Sequence, residues 1–198
     1  MRSFFDAMAP WPQQEGSLHL YVLPDDAARE RLRTAQEALA GIAHLPLMPP
    51  AYLHFTVQRL TQFDDLPQAE LSRVAGHLTT RIDELGRFAL HLGAPARHET
   101  AIEITAAPSG EWDALVAAVR RGLVDAFPGD DLLPPPHAPH LSLAYATGPA
   151  SDDAVERALE QVSPIGEVIV DGVQLVSVTV RPELGIFDFT ELAGWELG

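Results

Sequence analysis

PPAYLHFTV, Pro49 to Val57, and PHLSLAY, Pro139 to Tyr145, are the two stretches on which the fold turns. Each reads as a strand, with alternation at period two. Phe55 and Val57 fall on the face opposite His54 and Thr56, and Leu141 and Leu143 on the face opposite His140 and Ser142. The histidines are 86 residues apart, and each has a proline four residues before it, Pro50 and Pro136. The same offset carries one helix start, Asp25, to another, Glu111, and carries Gln68 to Ala154.

Working outward, Leu18 to Leu23 reads as a strand, and a helix capped at Asp25–Asp26 runs to about Ala43. A proline-rich loop, Leu45 to Pro50, leads to a strand over Tyr52–Leu60, a helix over Pro67–Leu85, and strands at Phe88–Leu92 and Ala101–Ala106. The order then recurs: a helix over Gly110–Phe127, a loop with five prolines over Pro128–Pro139, a strand over His140–Ala146 and a helix over Ser151–Val162. Strands follow at Glu167–Val170, Val173–Val180 and Ile186–Leu192. The reading is an α+β fold, duplicated and bilobal, with two antiparallel-rich sheets lining a central cleft and helices outside. A single bilobal domain is expected over residues 1–198, with residues 1–16 as a loosely held arm.

Composition narrows the function. Apolar residues make up 46% of 198, enough for a sizeable core. All 13 basic residues are arginine, against 28 acidic ones, for a net charge of −15. Phosphate repulsion then disfavours long duplex nucleic acid as a partner. The absence of cysteine excludes disulfide scaffolds, thiolate zinc sites and cysteine nucleophiles. No apolar run approaches the roughly 18 residues of a membrane span, and the first residues lack a secretory h-region. A cytoplasmic monomer with no membrane partner is expected.

Four of eight histidines begin a His-x-Thr/Ser tripeptide: His54, His77, His98 and His140. Chance alone supplies about 0.7, so context must choose among them. On a strand, residues i and i+2 share a face roughly 6.6 Å apart, and both can reach one phosphate. On a helix they diverge. His77 falls in a helix and His98 in a charged turn, so both are set aside, as are His19, His44 and His91. Only His54 and His140 combine strand alternation with the repeat. His137 and His140 form His-x-x-His, but three prolines precede His137 and Pro139 intervenes. No helix can align that pair on a metal. Strict alternation places Tyr145 on the face away from His140, and Arg59 likewise away from His54.

With these motifs, the opening LHLYVLPDD and the closing strands with GIFDF, the chain resembles the 2H phosphoesterase superfamily, specifically the bacterial RNA 2′,3′-cyclic phosphodiesterases, or 2′-5′ RNA ligase-like proteins. The resemblance spans Leu18 to about Leu192. It implies hydrolysis of a 2′,3′-cyclic phosphate, on an RNA end or a small nucleotide, without metal or cofactor. His54 and His140 would transfer protons and Thr56 and Ser142 would bind the phosphate. His140 is taken as the base and His54 as the acid. Reverse 2′-5′ ligation would be a minor activity. The chain departs from the family pattern in three places. Ser142 stands where threonine is frequent, the glycine that often follows the first motif is missing, and Tyr145 replaces an arginine five residues after the second histidine. Tyr145 is a candidate substrate-binding residue. The alternative from another class is a catalytically idle nucleotide- or RNA-binding module on the same fold.

Overall fold

The computed structural model describes residues 1–136 and 138–198. His137, and with it the His-x-x-His pair, lies outside the described residues. In chain order the elements are α1 (Phe4–Ala7), β1 (Ser17–Val22), α2 (Asp26–Glu37), a 3₁₀ turn (Pro50–Tyr52), β2 (Phe55–Phe63), α3 (Gln68–Ile82), β3 (Phe88–Leu92), β4 (Ala96–Arg97), β5 (Ala101–Thr105), α4 (Gly110–Ala126), β6 (His140–Tyr145), α5 (Asp152–Leu159), β7 (Gly166–Val170), β8 (Gly172–Arg181) and β9 (Ile186–Glu196).

β1 is buried along its whole length because it lies inside a four-stranded antiparallel sheet of order β2-β1-β8-β9. The other half holds a three-stranded sheet, β4-β5-β6, and the pair β3-β7, linked by one bridge from Leu92 to Ala106. The fold is α+β, bilobal and duplicated, as the repeat implies. The histidine strands β2 and β6 come into contact.

The caps are those the sequence supplies. Asp25 accepts from Ala28 N–H at 2.8 Å, Ser109 from Trp112 and Ser151 from Ala154. α2 ends at Glu37, six residues short of the expected Ala43. Gly41 and His44 both take left-handed backbone, φ 80° and 61°, which no right-handed helix contains. α3 and α4 approach closely at Gly122, where a Cβ would lie 3.1 Å from Leu78 Cδ2 and 3.3 Å from the His77 carbonyl oxygen.

Each proline-rich loop crosses to brace the histidine strand of the other half. In one crossing Met48 N–H donates to Leu143 O at 2.8 Å, and Leu47 bridges to Ala144. Buried Gln36, on α2, donates to both Met48 O (2.7 Å) and Leu143 O (3.1 Å). The counterpart is built around Leu133, which lies 86 residues after Leu47. Its carbonyl accepts from Gln58 Nε2 on β2 (2.9 Å) and from Arg120 Nη1 on α4 (2.8 Å). Arg120 also donates to Gln58 Oε1 at 2.5 Å. These bonds give buried polar groups their partners and lock the halves together.

The arm over residues 1–16 is docked rather than loose. Arg2 N–H donates to Glu99 O and Phe4 N–H to Ala146 O, and Val180 N–H donates back to Gln14 O. Phe4 and Phe5 pack on Tyr145 and Phe187. Two prolines and a glycine read as a loose segment; the three aromatic residues among them decide otherwise, because their burial is favourable.

Candidate active site

β2 begins at Phe55, not Tyr52, because the two prolines before it turn the chain through one 3₁₀ turn. His54 therefore stands just ahead of its strand, and His140 is the first residue of β6. Both imidazoles are held the same way. Nδ1 of His54 is 2.7 Å from the carbonyl oxygen of Tyr52, and Nδ1 of His140 is 3.0 Å from that of Ala138, each two residues upstream. A carbonyl oxygen only accepts, so Nδ1 carries the hydrogen. Nε2 is then the nitrogen free to take a proton when the ring is neutral, or to give one when it is charged.

The environment of His54 favours the neutral form. Tyr21 stacks on it with centroids 3.8 Å apart and planes 11° apart, and Phe189 meets it edge-on at 5.9 Å. Burial lowers its pKa from 6.5 to about 4, against the opposing pull of the Tyr52 carbonyl, and the nearby charge of His140 adds to the lowering. The two imidazoles thus sense one another across the cleft. Neither Tyr21 nor Phe189 was legible as a site residue from a motif.

A cavity of about 420 Å³ opens between the halves, lined by Thr56, Arg59, Leu133, Pro134, Pro136 and His140. Thr56 from the first motif and His140 from the second share this space. Ser142 follows on the same strand and lies within hydrogen-bond reach of the Tyr145 hydroxyl.

That last contact contradicts strict alternation, and the reason is a β-bulge. Glu103 pairs with Ser142 but Ile102 pairs with Ala144, so Leu143 is an extra residue in β6. Leu143 and Ala144 both turn inward, fully buried, and Tyr145 returns to the face of Ser142. β2 does the same: Tyr21 pairs with Thr56 and Leu20 with Gln58, leaving Val57 as the extra residue. Val57 and Gln58 are both fully buried, and Arg59 rejoins the face of Thr56, opposite His19. The bulges at 57 and 143 are again 86 residues apart. Tyr145 and Arg59 are therefore equivalent positions: Arg59 lines the cavity, and Tyr145 lies on the face of Ser142 rather than away from it.

The Tyr145 ring is not open for stacking a base. It is buried among Phe4 (4.5 Å), Phe187 (5.1 Å) and Phe5 (6.2 Å). Burial raises its pKa to about 12, so it remains a neutral phenol beside Ser142.

Three other described histidines take no part in this arrangement. His77 lies in α3, and His98 is exposed, 3.7 Å from Glu103. His19 repeats the same anchoring, Nδ1 to Ser17 O at 3.1 Å, but is buried between Trp11 and Tyr21, and that burial lowers its pKa to about 3. Among the described residues no group of three or more His, Asp or Glu is placed to hold a metal ion, and no helix is long and apolar enough to cross a membrane.

The architecture is shared with solved proteins. A Thermus thermophilus protein, TT0787, superposes with a TM-score of 0.69 at 22% identity, covering 91% of this chain and 97% of its own. Escherichia coli LigT in apo form gives 0.67 at 15% identity over 93% and 99%, and LigT complexed with 3′-AMP gives 0.65 at 16% over the same shares. No curated protein matches by sequence. The model of the 2'-5' RNA ligase superfamily matches residues 21–181, a span that holds both histidine strands and both bulges, and on that match the chain belongs to this superfamily.

Proposed function

We propose that the protein is a metal-independent phosphodiesterase that hydrolyses 2′,3′-cyclic phosphates on small nucleotides or RNA ends. The observation that carries this reading is the matched anchoring of His54 and His140, which leaves Nε2 of each ring free, with His140 and the first-motif Thr56 lining one cleft and His54 close enough to feel the charge of His140. LigT has been solved with 3′-AMP, with ATP and with NADP+, which supports a nucleotide as the substrate class.

The proposed step follows from the electrostatics. His54, neutral in the free enzyme, takes a proton from the attacking water on Nε2. The water oxygen bonds to phosphorus as one ribose oxygen leaves. His140, protonated, gives its Nε2 proton to that leaving oxygen. Thr56 and Ser142 donate to the non-bridging oxygens as charge builds on them. Tyr145, whose hydroxyl lies near Ser142, would act as a positioning residue. The base is thus His54 and the acid His140, the reverse of the sequence expectation, because burial favours an uncharged His54.

The test is turnover of 2′,3′-cyclic AMP, with identification of the product isomer. His54→Ala and His140→Ala should each lower kcat/KM by at least ~10²-fold. Unchanged turnover in both variants, or none in the native protein, overturns the reading.

A further inference from the structure

The cleft contains a charge that the second motif does not supply. We propose that Arg59 is the phosphate-gripping cation of this site, entering from the first-motif strand and held by Trp11 of the N-terminal arm. The inference rests on the cyclic-phosphate reading and adds the residue that reads the anion.

Three independent observations converge. First, the bulge at Val57 turns Arg59 onto the face of Thr56, and its side chain lines the same cavity as Thr56 and His140. Among the described lining residues it is the only one with a permanent positive charge. Second, Arg59 is unengaged. Among the described residues, eleven of the 13 arginines make an ion pair or a side-chain hydrogen bond to a carboxylate, amide or carbonyl oxygen; Arg59 and Arg121 do not. In a chain with 28 acidic residues, a guanidinium left without a carboxylate in a cleft is a ready anion site. Third, the arm positions it. The guanidinium carbon lies 5.5 Å from the centroid of the Trp11 ring, a cation–π contact, and Trp11 in turn packs on His19 and Phe187. His19 is opposite Arg59 in the ladder, and burial keeps it neutral, so it does not repel the guanidinium.

The pseudo-twofold gives this a sharper meaning. Arg59 and Tyr145 occupy equivalent positions, one a cation and the other a buried phenol. The cation thus reaches the phosphate from one side only, while hydroxyls approach it from both. Trp11 precedes β1, so the arm itself contributes to the site.

The experiment measures binding of inorganic phosphate by calorimetry, a readout independent of turnover, beside KM and kcat for 2′,3′-cyclic AMP. Arg59→Gln should weaken phosphate binding and raise KM by at least about tenfold, the size of a lost charge-assisted contact. Arg59→Lys should recover part of that loss, and Trp11→Leu should show a smaller rise in KM. Arg121→Gln, the other unengaged arginine, should match the native protein in both. Phosphate affinity and KM unchanged in Arg59→Gln would overturn the inference even if the enzyme is active. Arg59-dependent phosphate binding without turnover would uphold it while removing the cyclic-phosphate reading.

Discussion

His54 shows how a common side chain is tuned. Stacked on Tyr21 and edged by Phe189, it loses much of its hydration, and its pKa falls to about 4. As the proposed base it must be unprotonated, so the acidic limb of kcat/KM should fall near pH 4 rather than near the ordinary value of about 6.5. Tyr21→Leu removes the stack and should move that limb upward, which a pH–rate profile of the variant reads directly. The tripeptides His77-x-Thr79 and His98-x-Thr100 are built from the same residue types, yet one lies in a helix and the other at an exposed turn. His77→Ala and His98→Ala should leave turnover of 2′,3′-cyclic AMP nearly unchanged. A loss equal to that in His54→Ala would remove the argument from strand context.

At the scale of elements, the decisive features are two bulges and two crossing loops. A bulge re-phases every residue that follows it, and so moves Arg59 and Tyr145 across the sheet. Nothing in the residue types of Val57 and Leu143 announces this; only the pairing register reveals it. The crossing at Leu133 concentrates its bonds on Gln58, which is fully buried, and on Arg120. From the sequence, Arg120 reads as one of a helical cluster away from the motif strands. In the structure it reaches β2 and holds a wall of the cleft. Arg120→Met removes two bonds and leaves Gln58 Oε1 without its partner. It should cost about 1–3 kcal/mol in urea unfolding and speed proteolysis within residues 128–136. KM should rise more than kcat falls, since the proton-transfer groups are untouched.

The whole molecule carries its acidic charge into any encounter with RNA. With net charge −15, long-range repulsion grows with the length of a polyanion, while a mononucleotide cyclic phosphate presents a single charge. Specificity should therefore not rise as the substrate is lengthened from a dinucleotide to a ten-mer with the same cyclic end. Added salt should favour the longer substrate relative to the shorter, since screening acts over about 10 Å at 0.1 M. Affinity that climbs with length and falls steeply with salt would sink this expectation. Prolonged EDTA treatment should leave turnover unchanged, because the proposed mechanism assigns the proton transfers to two imidazoles; activity lost to the chelator and restored by Zn²⁺ would contradict that. Acid stability has its own sign. His19 and His54 are neutral when folded, with pKa values lowered to about 3 and about 4, but bind protons below about 6.5 when unfolded. The unfolded state then binds more protons between those limits, and stability falls as pH drops from about 6.5. His19→Gln should flatten the slope of the thermal midpoint against pH in that window.

The duplicated order of elements was legible from the chain alone, because hydrophobic period and proline placement are local properties that recur at an offset of 86 residues. The choice of His54 and His140 with Thr56 and Ser142 followed from the same periodicity and the repeat. The four side chains that surround the candidate site did not. Tyr21 reaches His54 across β1 and β2, Phe189 arrives from β9, Trp11 from the arm, and Arg59 only through a bulge. Each is a contact between segments distant in sequence or a break in register, and a pattern of residue types carries neither. Alternation decides which face a residue should take; the paired strand decides where alternation is broken. That His54 is held neutral depends on desolvation, and this desolvation exists only once β1 and β9 have brought Tyr21 and Phe189 against it.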